Sequence, residues 1–146
     1  MAENIQRITI DTGVKSYEVA DLDGNVLGVI RFNPTNTDIV VRLNNLNDRL
    51  QSEDFEKEIA ESEAVGSLAK MNQRVRDALD EAIGSPVSDV FFSTTAPISR
   101  TKNGNRAQYA LRVLQTIADI IGAEMDEFGR AEIEQVESAA AKYEGR

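Results

Sequence analysis

The spacing of apolar residues changes once along this chain, from alternate positions to steps of three and four. That change predicts strands first and helices after. Ile8 and Ile10 alternate with polar neighbours ahead of Asp11-Thr12-Gly13, and Tyr17 and Val19 alternate within Lys15 to Ala20, the period of half-buried strands. Asp23-Gly24-Asn25 then supplies residues that tolerate positive φ, and Val26 to Phe32 resumes the apolar pattern. The expectation is a three-stranded antiparallel β-meander over residues 1–34. Such a sheet needs a cover over its apolar face, and the helices that follow can provide one.

Beyond Asn33-Pro34, the cluster Thr35, Asn36, Thr37 and Asp38 offers several N-caps to an apolar stripe at Ile39, Val40, Leu43, Leu46 and Leu50. Ser52 to Glu63 carries six acids around Phe55 and Ile59, which lie four apart on one helical face after a break near Ser52. The strongest periodic signal comes next, in Val65, Leu68, Met71, Val75, Leu79, Ala82 and Ile83, and Gly84-Ser85-Pro86 stops it. A long connection over 85–105 contains Val90-Phe91-Phe92, too apolar to leave in water and expected to pin the loop to the core. Arg106 to Ile121 reads as a further helix with Ala107, Ala110, Leu111, Leu114, Ile117, Ala118 and Ile121 on one face. The last stretch, Arg130 to Tyr143, has only Ile133, Val136, Ala140 and Tyr143 on its apolar side, which predicts a loosely docked tail over 123–146. The whole is an α+β chain: one domain over 1–146, a meander followed by a bundle of three to five α-helices, with the main helical part over 38–122.

With 146 residues, the chain can bury roughly 70% of the surface its unfolded form exposes. It has no His and no Cys, so the commonest general base, the thiolate nucleophile and the best transition-metal ligands are all missing. No cofactor, metal or catalytic residue is expected, and binding another protein is the default role. The absence of Cys fits a reducing compartment. Met1-Ala2-Glu3-Asn4 carries an acid early and opens no apolar run of signal-peptide length, and no later stretch approaches a membrane span. The cytoplasm is the expected location, with no membrane partner.

Sixteen basic against 25 acidic residues give a net charge of −9, which repels a phosphate backbone at long range, so nucleic acid is not an expected partner. The charge is uneven. Between Val90 and Ala118 there are no acids, but there are Arg100, Lys102, Arg106 and Arg112. Without aromatic interleaving or a nucleic-acid motif, this basic stretch suits internal ion pairs or a protein contact. The acidic run from Glu53 to Glu63 reads as a solvated helix face in preference to a docking surface.

Three local patterns look chemical and are better read as structure. Ser67-Leu68-Ala69-Lys70 has the spacing of serine acyl enzymes, but its partner motifs are missing and Leu68 belongs to a core stripe. Asp21-Leu22-Asp23-Gly24-Asn25 places its Gly fourth, where an EF-hand loop needs it sixth, so a tight hairpin turn is expected. Gly13-Val14-Lys15-Ser16 ends like a phosphate loop but lacks its first Gly and its spacing.

The run Ile8-Thr9-Ile10-Asp11-Thr12-Gly13-Val14-Lys15-Ser16-Tyr17-Glu18-Val19, followed by Asp21-Leu22-Asp23-Gly24-Asn25-Val26-Leu27-Gly28 and Ile30-Arg31-Phe32-Asn33-Pro34, resembles the opening of small tail assembly chaperones. These are encoded by long-tailed phages and prophages of Gram-positive bacteria. The resemblance covers the first quarter to third of the chain and rests on turns and strand patterns. The later helices agree in type and order. It implies a non-enzymatic role in the host cytoplasm, in which the protein coats the tape measure protein until the tail tube polymerises around it. A longer, frameshifted product of such genes helps recruit tail tube subunits. The resemblance transfers no site residues.

A chaperone of a long, aggregation-prone helical partner needs an apolar contact and a high net charge, and its contact must be reversible. Two regions are candidates for that contact: the 85–105 loop, through Phe91, Phe92, Arg100, Lys102 and the adjoining Arg106, and the tail, through Ile133, Val136 and Tyr143. Self-association is a further option. The alternative reading is a structural tail or head-completion subunit that stays in the virion.

Overall fold

The computed structural model describes residues 4–61, 65–99 and 106–139. Two strands come first, β1 (Lys15–Ala20) and β2 (Val26–Phe32), and six helices follow: α1 (Thr37–Gln51), α2 (Glu53–Glu61), α3 (Val65–Ile83), α4 (Ser88–Phe91), α5 (Gln108–Glu124) and α6 (Glu127–Ala139). The class is α+β, as the change of period implied.

The meander is reduced to a hairpin. β1 and β2 pair antiparallel with Lys15 opposite Phe32 and Tyr17 opposite Ile30, and among the described residues the sheet has no third strand. Ile8 and Ile10, expected on a first strand, are 89% and 78% exposed. Two hydrogen bonds account for this. Asp11 Oδ1 accepts from Gly13 N at 2.9 Å, and Asn33 Nδ2 donates to Thr12 O at 2.8 Å, which holds the chain beside the end of β2. The connection therefore does not reverse against β1, and alternation alone cannot make a strand without a partner edge.

The turn that joins β1 to β2 is built by Asp21. Its Oδ1 accepts from Asp23 N and Asn25 N, both at 2.9 Å, and Gly24 takes the positive φ of 86° that the reversal needs. These bonds, from Asn25 first, hold the Asp21 carboxyl below the usual range.

α1 is the central helix and packs on α2, α3, α5 and α6. Asn36 caps it, its side chain accepting from Asp38 N at 3.0 Å, and Ile39, Val40, Leu43, Leu46 and Leu50 are buried. The break near Ser52 is real, and one hydroxyl makes it. Ser52 Oγ donates to Arg49 O at 2.8 Å, closing α1, and accepts from Phe55 N at 3.1 Å, opening α2. This break, with the single turn of α4, brings the described helices to six, one more than the range read from the sequence.

After α3, Gly84 at φ 78° reverses the chain and its N–H donates to Asp80 O at 2.8 Å. Asp80 then organises the connection: Oδ1 accepts from Val87 N and Ser88 N at 2.8 and 2.7 Å, and Oδ2 from Ser88 Oγ at 2.7 Å. α4 is thus held against the end of α3 and covers β2, where Gly28 lies so near Val90 that a Cβ would come within 2.8 Å of Val90 Cγ2. The core runs from Ile30 and Phe32 through α1, α3 and α5 to Ile133 and Val136 of α6. Among the described residues, no helix is long and apolar enough to cross a membrane.

Candidate partner-binding surface

The apolar candidates read from the sequence belong to the core in this structure. Phe91 and Phe92 are 4% and 5% exposed, and Ile133 and Val136 are both 0% exposed. The aromatic pair pins its loop as its hydropathy implied: Tyr109 Oη donates to the carbonyl of Phe91 at 2.7 Å, and the Phe92 and Tyr109 rings meet edge to face at 5.8 Å. Burial pushes the Tyr109 hydroxyl pKa up. Arg76 lies over the Phe92 ring, 6.0 Å from its centre. With the helices packed in this way, none of the four offers a surface to a partner.

The described part of the tail, α6, is docked. α6 packs on both α5 and α1, and Asn44 Nδ2 on α1 donates to the carbonyl of Glu132 at 3.1 Å. Ile133 and Val136 are a thin stripe, but both meet a surface already assembled by α1 and α5. Of the polar candidates, Arg106 turns inward: Nη1 pairs with Glu56 Oε1 on α2 at 3.0 Å, both side chains about one-third exposed. An exposed pair of this kind contributes on the order of 0–1 kcal/mol. It is one of the internal pairings that the basic stretch allowed. Arg100, Lys102 and Tyr143 lie outside the described residues.

The apolar surface that is exposed lies elsewhere. Where α5 ends and α6 begins, the chain bends at Met125 and Asp126, and Phe128 projects from the first turn of α6 with 78% exposure. Gly129 packs closely against Met125, a Cβ there lying 2.7 Å from Met125 Sδ and 3.1 Å from its Cβ. Asp126 Oδ1 accepts from Gly129 N at 2.9 Å, closing the first turn of α6. Against this corner stands the start of α1, and between them is a cleft of about 540 Å³ lined by Thr35, Thr37, Val40, Met125 and Phe128, with Glu124, Asp126 and Glu132 around it.

The cleft has an apolar floor and three carboxylates. Glu124 also pairs with Lys15 Nζ at 2.9 Å, which ties the cleft to the start of β1. That hydrogen bond, with the attraction of the carboxylate, raises the Lys15 pKa, and burial chiefly, then Glu124, raises that of Tyr17. A surface of this kind suits an amphipathic helix that sets apolar side chains on Phe128 and Met125 and Lys or Arg beside the acids. Sequence reasoning missed it because its two sides are almost ninety residues apart in the chain. The one local signal was Phe128, an aromatic residue between Glu127 and Gly129 in a polar stretch.

The Asp21 carboxylate is engaged by its own turn, and Lys15 by Glu124. Ser67 and Lys70 are exposed on α3. Comparison with known proteins returned no match: no family model fits the chain, and neither a curated protein nor a solved structure is significantly similar to it.

Proposed function

We propose that this protein is a binding module that acts as a tail assembly chaperone of a long-tailed phage or prophage, holding the tape measure protein soluble in the host cytoplasm. The observation that carries the reading is the acid-rimmed apolar cleft between the start of α1 and the α5–α6 corner. Met125 and Phe128, backed by the buried Val40, would cover the apolar stripe of a helical partner. Asp126 and Glu132, beside a Glu124 already paired with Lys15, would select a partner with basic flanks. The net charge of −9 keeps such a complex soluble. The cleft is small beside a stable protein interface, and that suits a contact that is released when tube subunits arrive. Support for the phage assignment itself comes from the resemblance of the strand and turn motifs between Ile8 and Pro34.

Co-expression with a tape measure protein encoded beside this chain, followed by pull-down, tests the reading. The expected result is a soluble complex that Phe128→Asp reduces to background. A tape measure protein that stays insoluble, or binds the variant as well as the parent, would overturn it. Mass spectrometry of purified virions distinguishes a structural subunit, which remains in the particle, from a chaperone, which does not.

A further inference from the structure

The segment before β1 combines three properties that rarely occur together on a chain that functions alone. It has the alternation of a strand, its apolar side chains Ile5, Ile8 and Ile10 are 80%, 89% and 78% exposed, and it pairs with no strand among the described residues. Beside it, β1 is the edge of a two-stranded sheet, so half of its backbone N–H and C=O groups face away from β2. β2 is covered by α4, but no described element other than β2 packs extensively on β1.

Intrachain pairing is opposed by the connection. Lys15 is opposite Phe32, so Asn33 lies beside Val14, and the bond from Asn33 Nδ2 to Thr12 O keeps residues 12–14 running on past the end of β2. Asn33 is itself fixed, its Oδ1 accepting from Thr35 N and Thr35 Oγ1, both at 2.9 Å. Gly13 fits against it with φ 78°, a backbone conformation that disfavours a side chain, and a Cβ would come within 3.1 Å of Asn33 Nδ2.

We propose that two copies of this chain exchange these segments, Arg7 to Ile10 of each adding antiparallel to the free edge of β1 in the other. The pairing of opposite charges selects the register. With Ile8 opposite Tyr17 of the second copy, Ile8 extends the apolar face on which Tyr17 is only partly buried, and Ile10 lies opposite Lys15. The same register sets Thr9 opposite Ser16 and brings Arg7 opposite Glu18, two exposed side chains of opposite sign on the outer face. A charged or polar residue at position 8 would break the match. The arrangement is two-fold symmetric, each copy giving one segment and receiving one, so it closes as a dimer and covers Lys15 to Glu18 of both β1 edges. It does not depend on the function proposed above.

The absence of Cys makes the test clean, because introduced thiols are the sole thiols present. Arg7→Cys and Glu18→Cys chains, made separately with tags of different size and mixed under oxidising conditions, should form a disulfide-linked heterodimer. The parent chain should sediment as a dimer, and Ile8→Asp with Ile10→Asp should weaken dimerisation at least about tenfold. The helical circular dichroism signal should stay unchanged, since both side chains are exposed in the single chain. Three results would each overturn the proposal: a parent chain that is monomeric at every concentration, a dimer indifferent to the two Asp substitutions, or a disulfide that closes within one chain when Arg7→Cys and Glu18→Cys are combined. A segment that becomes protected only when a different protein is added would also count against it.

Discussion

Replacing Ile133 by Ala asks whether the last helix is part of the fold. Ile133 is 0% exposed and packs in the main core, so truncation removes three carbon atoms from a fully buried site. At about 0.8 kcal/mol for each buried carbon, the transfer loss is about 2.4 kcal/mol. The surrounding α1 and α5 side chains are held by their own helices and collapse only partly, which adds a cavity contribution and brings the expected loss to about 3 kcal/mol, within the 2–5 kcal/mol usual for Ile→Ala. In urea, with a slope on the order of 2 kcal/mol/M, the midpoint should fall by about 1.5 M. Phe128→Ala, a few residues away but 78% exposed, should change stability by no more than about 0.5 kcal/mol. If Ile133→Ala costs less than about 1 kcal/mol, α6 is loosely held, and Ile133 and Val136 return as candidates for partner binding.

Asp80→Ala removes an acceptor of three hydrogen bonds at the α3–α4 connection, and thermal unfolding should show a loss of at least about 2 kcal/mol. Gly28→Ala should destabilise the hairpin, because the new Cβ strikes Val90 and φ is 154°. Val90→Ala in the same chain should recover part of the loss in a denaturant titration. The Asp21 carboxyl has a lowered pKa in the folded chain, so its contribution is complete above the unfolded pKa and is lost as pH falls through the folded value. Acid titration of parent and Asp21→Asn should therefore show a stability difference at neutral pH that disappears on the acid side, below the usual carboxylate range. A constant difference would contradict this.

Much of the fold is legible along the chain because its determinants are local. The stripe of α5, the turn at Asp23-Gly24-Asn25 and the stop at Gly84 each follow from residues a few positions apart, and Asn36 caps α1 from within the cluster expected to do so. What the chain does not show locally depends on distant partners. Ile8 and Ile10 alternate like a strand, but whether they pair is decided by Asn33, more than twenty residues away, which holds Thr12. The stripe of α6 looks too thin to dock because its complement lies on α1 and α5, and a single Asn44 bond to Glu132 contributes to the join. Phe91 and Phe92 read both as an anchor and as a contact, and the structure uses them as an anchor. The acid-rimmed cleft is the extreme case, since neither Thr35 to Val40 nor Glu124 to Glu132 shows it alone.

The most direct test of the central claim is to map where the partner sits, by recording backbone amide NMR shifts as a helical fragment of the tape measure protein is added to the intact chain. Saturable shifts should concentrate in residues 35–40 and 124–132, around the cleft, and be lost in Phe128→Asp. No saturable shifts, or shifts centred on a surface away from that cleft, would contradict it.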